Sequence, residues 1–295
     1  MKNVHYFVIT PVRNEEEHLK FTIDSVASQT SRPRQWIIVD DGSSDRTGKI
    51  ADEAASLHPW IRVVHREDRG FRKAGGGVIE AFYDGYRCIK PNEWEYVVKL
   101  DGDLSFDPDY FERSFQQFRA HPKLGIGGGA ICTIMNGAPV EESGGDPSFH
   151  VRGATKIYRR ACWEAIGGLV CAPGWDGIDE FKANMLGWTT YTFRELKLVH
   201  HRRTGGAEGT WKDSVKNGRA DYTAGYHPLF MACKCLKRSL RRPYALRGLG
   251  FLVGYLSGYV RRLPQVNDKE LIRYLRREQM RKLLFQPSLW DRKTL

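Results

Sequence analysis

Four apolar runs recur through the first hundred residues: "YFVIT" (6–10), "WIIVD" (36–40), "IRVVH" (61–65) and "YVVKLD" (96–101). Runs that short and that continuous mark strands covered on both faces, as in parallel sheets. Between them, residues 14–29 place Leu19, Ile23 and Val26 at helical spacing, and residues 44–57 do the same with Ile50, Ala54 and Leu57. Asn14 and Ser44 stand where N-caps are expected, with acids in the turns that follow. A β-α-β-α order joined by right-handed crossovers has few solutions. It predicts an α/β fold: a mixed, mainly parallel, doubly wound sheet flanked by helices. After residue 125 the alternation gives out. Gly127, Gly128 and Gly129 open a region expected to hold antiparallel strands, helical stretches near 159–167 and 177–186, and a last strand pair around "TTYTF" and "LKLVHH".

Two of the strands end in acids. In open α/β sheets the ligand crevice lies beyond the carboxyl ends of the strands. Asp101 and Asp103, two apart at a strand end, aim two carboxylates to one side, and Gly102 between them admits a ligand close to the backbone. Paired anions repel unless a cation sits between them, and a hard divalent ion completed by water and phosphate oxygens suits the position. Asp40 and Asp41 end a second strand and run into the turn "GSSD".

Charge divides the chain. The net charge of +11 is concentrated in residues 227–295, with 16 Lys+Arg against 4 Asp+Glu; residues 1–226 hold 30 against 31. Residues 1–226 are therefore expected to form one near-neutral, catalytic-looking unit, and 227–295 a basic, partly amphipathic helical extension. Within that extension only thirteen residues (248–260) separate Arg247 from Arg261, fewer than the ~20 that span a bilayer. Gly250, Gly254 and Gly258 recur at every fourth position, which fits either a helix lying on a membrane surface or one packed on the protein. Residues 268–286 read as an amphipathic helix with Leu271, Leu275 and Leu283 inward. An anionic membrane surface is the expected partner of the basic segment. Nucleic acid is not, because no recognised motif or interleaved aromatic platform is present. The N-terminus reads as a strand rather than a signal peptide and the six cysteines as reduced thiols. Both suit a cytoplasmic protein held peripherally on the inner face of the cell membrane.

Five segments, "VITPVRNEEEHL", "IIVDDGSSDRT", "VVKLDGDLSFDPDYFE", "RGATKIYRRACWEAIGGL" and "WDGIDEFKANMLGW", occur in an order and spacing that resemble family 2 glycosyltransferases of the GT-A fold. The resemblance covers roughly residues 4–205. The stretch 69–109 is most similar to polyprenyl-phosphate sugar transferases and bacterial polysaccharide enzymes. It implies a Rossmann-like GT-A domain and transfer, with inversion, of a hexosyl or N-acetylhexosaminyl unit. The donor would be a nucleotide diphosphate sugar of UDP or GDP type, and the acceptor a hydroxyl or phosphate on a lipid-linked or saccharide molecule. Carried over by motif, Pro11, Val12, Arg13, Glu15 and Asp41 would line the nucleoside. Asp101 and Gly102 would meet the ribose or the metal, and Asp103 would bind Mg²⁺ or Mn²⁺ with the diphosphate. Arg72 and Lys73 would add charge near the phosphates.

The family places its general base in an acidic pair at a helix start, the aspartate eleven residues before a glycine. Counting back from Gly187 gives Asp176, preceded here by Trp175 where an acid is usual; Asp179 and Glu180 stay open as alternatives. The resemblance also implies a metal-binding histidine at the end of the last strand, where spacing favours His201 over His200. Tyr158, Arg159 and Arg160 would border the acceptor. The competing reading is a catalytically inactive module that binds a nucleotide sugar.

Overall fold

Strands β1 (Tyr6–Val12), β2 (Gln35–Asp40), β3 (Ile61–His65) and β4 (Tyr96–Leu100) lie parallel in the order β3-β2-β1-β4. The computed structural model describes residues 4–70, 76–90, 93–142, 145–202, 209–240, 244–292 and 295. Successive side chains of these strands enter two different cores. Tyr6, Val8, Trp36, Ile38 and Val98 face α1 (Leu19–Ala27), α2 (Thr47–Leu57) and α4 (Tyr110–Ala120). Phe7, Ile9, Ile37, Val39 and Val97 face α3 (Gly77–Tyr86) and α5 (Arg160–Ile166). Burial on both faces is why β1, β2 and β4 show no alternation; β3, at the sheet edge, leaves Arg62 and His65 exposed.

The two expected N-caps are not caps. Helix α1 begins at Leu19 after His18, and α2 at Thr47 after Arg46. Asn14 adopts φ +54°, and its side-chain oxygen accepts from the Ser44 N–H at 2.9 Å. Both residues therefore staple the turn after β1 to the turn after β2, where strand-end amides need partners more than helix ends do.

Beyond β4 the sheet continues in the order β4-β8-β6-β9-β5, through β8 (Thr155–Arg159), β6 (Leu124–Met135), β9 (Thr189–His200) and β5 (Leu104–Phe106). β8 runs antiparallel to β4 and β6, and β5 antiparallel to β9; β7 (Ala138–Glu141) forms a hairpin with β6. The expected final strand pair is one strand, β9. Its register against β6 jumps from Phe193 to Lys197, a local bulge that reads in the sequence as a break.

Helices α7 (Gly209–Thr223), α8 (Pro228–Ser239), α9 (Leu246–Val260) and α10 (Lys269–Leu283) follow α6 (Trp175–Met185) and β9. No helix among the described residues is long and apolar enough to cross a membrane. The glycine row of α9 lies on α7: a Cβ at Gly254 would run into the Val215 carbonyl, and one at Gly218 into that of Phe251. α10 sets Leu271 and Leu275 against Phe149, Ile178 and Phe181. The helical layer thus starts at Gly209, ahead of the composition break at His227, because charge does not report packing partners. Gly254→Leu should force α7 and α9 apart and lower stability by about 1–3 kcal/mol or more, the usual range for overpacking. The check is the urea midpoint: an unchanged value would mean the pair repacks freely.

Candidate active site

β4 ends at Leu100, so Asp101, Gly102 and Asp103 form the turn into β5 rather than a strand end. A Cβ at Gly102 would stand 2.5 Å from Val12 Cγ1. The missing side chain lets the turn close over the end of β1. Asp101 is anchored by its backbone N–H to the Ala154 carbonyl at 2.8 Å. Its carboxylate meets Lys99 Nζ, which also donates to the Gly153 carbonyl at 2.7 Å. Asp103 Oδ2 meets His200 Nε2 at 3.1 Å. Asp103 Oδ1 is buried with no hydrogen-bond partner among the described residues. A carboxylate oxygen held out of water without a partner suits a cation. The oxygen donors of Asp101 and Asp103 therefore fit Mg²⁺ or Mn²⁺. Among the described residues no three His, Cys, Asp or Glu side chains are set to hold an ion alone, so the remaining positions would fall to phosphate oxygens and water.

The histidine at this acid is His200. Successive residues of a strand point to opposite faces, and pairing of Leu104 with His200 turns the His200 ring toward Asp103. His201 faces the other way, stacked on Phe21 at 4.0 Å with Nε2 2.8 Å from Ser105 Oγ. Burial alone would depress His200. Asp103 on one ring nitrogen and Glu142, 3.0 Å from the other, outweigh it and lift the imidazole to about 10. Glu142 carries no sequence signal of its own; only the hairpin of β6 and β7 brings it here.

The residues expected to line the nucleoside lie at the ends of β1 and β2. Asp41 donates its N–H to the Val12 carbonyl at 2.8 Å. Its carboxylate is gripped by both Arg66 and Arg69. Those arginines pair in turn with Asp84 and Glu80 on α3. Arg13 donates to the Asp41 carbonyl at 2.8 Å and to Asp68 at 2.6 Å. Glu15 takes the Thr47 hydroxyl oxygen on its N–H at 2.7 Å and pairs with Arg202 at 2.8 Å. A nucleoside that reaches Asp41 must therefore share it with two guanidinium groups. The charged run "REDRG" (66–70) directly after β3 was the available signal. Arg72 and Lys73 lie outside the described residues.

The three acids proposed for the base separate by burial. Asp176 lies half-buried in the first turn of α6. Asp179 is 3% exposed and Glu180 wholly buried. Asp179 accepts from Lys156 Nζ at 2.9 and 3.0 Å and from the Tyr158 hydroxyl at 2.6 Å. Glu180 accepts from the Val151 N–H at 2.7 Å and meets His150 Nδ1 at 2.9 Å. Burial raises the Asp179 carboxyl, Lys156 opposes that, and Glu180 adds to it, for a value of about 7. Lys156 also donates to the Asp176 carbonyl, so this buried group fixes the first turn of α6. A Cβ at Gly153 would stand 3.2 Å from Asp176 Cβ. Asp176 and Asp101 therefore flank one backbone segment, residues 153–154.

The three residues expected to border the acceptor are paired with other groups. Tyr158 is wholly buried as the partner of Asp179. Arg159 pairs across from Tyr96, at the end of β4 remote from Asp101, where its guanidinium donates to the Phe118, His121 and Leu124 carbonyls. Its neighbour Arg160 pairs with Glu164 at 2.7 Å on the exposed side of α5. The antiparallel run of β8 carries residues away from the site as the chain advances, a direction that motif order does not reveal.

His150 offers a pH test. Burial alone would lower it, but Glu180 outweighs that and raises it to about 9. Its stabilising effect is thus present in full below the ordinary histidine value near 6.5 and is lost as pH rises through about 9. The gap in urea midpoint between the natural chain and His150→Gln should shrink from pH 6 to pH 10. A gap that widens would contradict the pairing.

The model of the family described as "Glycosyl transferase family 2" matches residues 7–161. Glycosyltransferase GlyG of Streptococcus pneumoniae is 28% identical over 146 residues, 50% of this chain and 43% of that protein. Poly-beta-1,6-N-acetyl-D-glucosamine synthase of Staphylococcus epidermidis is 36% identical over 112 residues, 38% of this chain and 25% of that protein. The chain spans less than half the length of these curated relatives. Among solved structures, mannosyltransferase PcManGT from Pyrobaculum calidifontis, in complex with GDP-Man and Mn²⁺, has a TM-score of 0.55 at 18% identity, covering 97% of this chain and 76% of that one. At that identity the likeness is one of fold.

Proposed function

The chain belongs to glycosyl transferase family 2 and has the GT-A fold, and on that premise we propose that it moves a hexosyl or N-acetylhexosaminyl unit from a UDP- or GDP-type sugar to a lipid-linked or saccharide acceptor. The transfer inverts the anomeric centre and takes place at the inner face of the cell membrane. One juxtaposition supports this most. Asp101, whose N–H is held by the Ala154 carbonyl, and the half-buried Asp176, beside Gly153, flank one backbone segment, and Asp103 follows Asp101 in the turn beyond β4 with one carboxylate oxygen without a partner among the described residues.

In this reading the ends of β1 and β2, with Arg13, Glu15 and Asp41, hold the nucleoside. Asp101 and Asp103 hold Mg²⁺ or Mn²⁺, which when bound would offset charge on the departing diphosphate. His200 stands at Asp103, opposite the carboxylate oxygen left for the ion. Asp176 takes the proton of the acceptor hydroxyl as its oxygen attacks the anomeric carbon. The bond to the diphosphate breaks and its electron pair leaves with the phosphate oxygen. Lys156, Asp179 and Glu180 keep the first turn of α6 in place.

The test is a panel of nucleotide sugars with and without Mn²⁺, read by thermal shift and donor consumption. One UDP- or GDP-sugar should raise the melting temperature only with metal; at a hundredfold excess over Kd that amounts to about 2.7 kcal/mol. It should also be consumed. Stabilisation without consumption, with any acceptor tried, would leave a binding module. Stabilisation indifferent to chelator would remove the metal from the scheme.

A further inference from the structure

We infer that α8 and α9 form a docking face for an anionic lipid surface, with the stripe Leu246, Leu249, Val253, Leu256 and Val260 entering the headgroup boundary. Ten of the nineteen exposed large apolar side chains among the described residues lie between Leu229 and Val260. Contiguous exposure of that kind marks an interaction surface. The five stripe residues recur at steps of three and four along one side of the fifteen-residue helix α9 and are 39–83% exposed.

The helix cannot turn to hide them. About a third of a turn round the helix lies the row Gly250, Gly254 and Gly258, pressed on Ser214, Val215 and Tyr222 of α7. Both sides of α9 are therefore assigned: glycines inward for close approach, branched side chains outward. The glycine spacing that suits either a membrane helix or a packed one serves both at once.

Charge selects the occupant. From Pro228 to Arg262 the chain holds eight Lys and Arg and no Asp or Glu. Lys237 on α8 and Arg247, Arg261 and Arg262 at the two ends of α9 are exposed. A second copy of this face would bring like charges together, whereas an anionic bilayer offers both an apolar interior and compensating headgroups. The helix is too short to span, so the protein lies on the surface. The face is also close to the proposed chemistry. α9 packs on α7, and Ala220 of α7 comes within 3.1 Å of a Cβ placed on Gly174, two residues before Asp176. One helix layer, roughly 8–10 Å between axes, thus separates the lipid surface from the helix that abuts the base.

The purpose of this face rests on the proposed lipid-linked acceptor, but its test does not. Vesicles of phosphatidylcholine, with or without phosphatidylglycerol, contain no acceptor. The full chain should float with anionic vesicles and bind neutral ones more weakly. Salt should reduce binding without abolishing it, because only the charge part is screened. Leu249→Glu with Leu256→Glu, both at exposed positions, should weaken binding at least about tenfold, with melting temperature and donor thermal shift unchanged. Indifference of the natural chain to every vesicle overturns the inference, as does equal flotation of the variant. A dimer in solution that the two glutamates dissociate, without vesicle binding, would assign the face to a second copy. Flotation together with transfer only to water-soluble saccharides would keep the face and remove the lipid-linked acceptor.

Discussion

Replacing Asp103 by alanine should abolish transfer, by a factor on the order of 10³ or more, and remove the metal-dependent part of donor binding. Lewis-acid support of a leaving diphosphate is worth several kcal/mol, and each 1.36 kcal/mol is tenfold in rate. The expectation rests on Asp103 Oδ1, a buried carboxylate oxygen without a partner among the described residues. The fold should survive. The carboxylate enters no core contact, and the one bond lost, to His200, costs about 1.5–3 kcal/mol for a hydrogen bond to a charged group. Circular dichroism should be unchanged while the Mn²⁺-dependent thermal shift with donor disappears. Normal turnover of this variant in excess chelator would end the metal-assisted scheme.

Asp176→Asn should bind donor and metal as before and lose transfer by about 10²–10⁴, the range for a positioned general base. Asp179→Asn should behave differently. Asp179 is sealed against Lys156 and Tyr158, so removing its charge leaves a buried ammonium short of one partner. Breaking a buried pair in this way typically costs about 3–5 kcal/mol. Its signature is a fall in melting temperature with residual activity per folded molecule. The two variants therefore separate chemistry from support. If Asp179→Asn loses turnover at full stability while Asp176→Asn stays active, the base lies one turn further into α6.

Much of this was legible because it depends on neighbours in the chain. The apolar runs of β1, β2 and β4 determined that parallel strands buried on both faces would begin the fold, since a continuous run has no polar side to offer water; that β3 would lie at the edge, with Arg62 and His65 exposed, was decided by the sheet order. The motif order was enough to bring Asp101, Asp103 and Asp176 forward as one group. The absence of acids from 228 to 262 already made that segment basic whatever its structure.

What the chain could not reveal depends on partners distant in sequence. Choosing between His200 and His201 required the pairing of β9 with β5, because a one-residue change of register reverses every side chain in a strand. Separating Asp176 from Asp179 and Glu180 required the buried Lys156 from β8, twenty and more residues away. Arg159 went to the far end of β4 because β8 runs antiparallel. The arginines on Asp41 and the carboxylate of Glu142 arrived on loops that carry no periodic signal. The glycines of α9 specified close approach, but which helix they would meet was decided by the position of α7. Local pattern sets which elements form and which side chains are available. Only the tertiary arrangement determines what each one faces, because burial, pairing and charge compensation belong to pairs of elements and not to either alone.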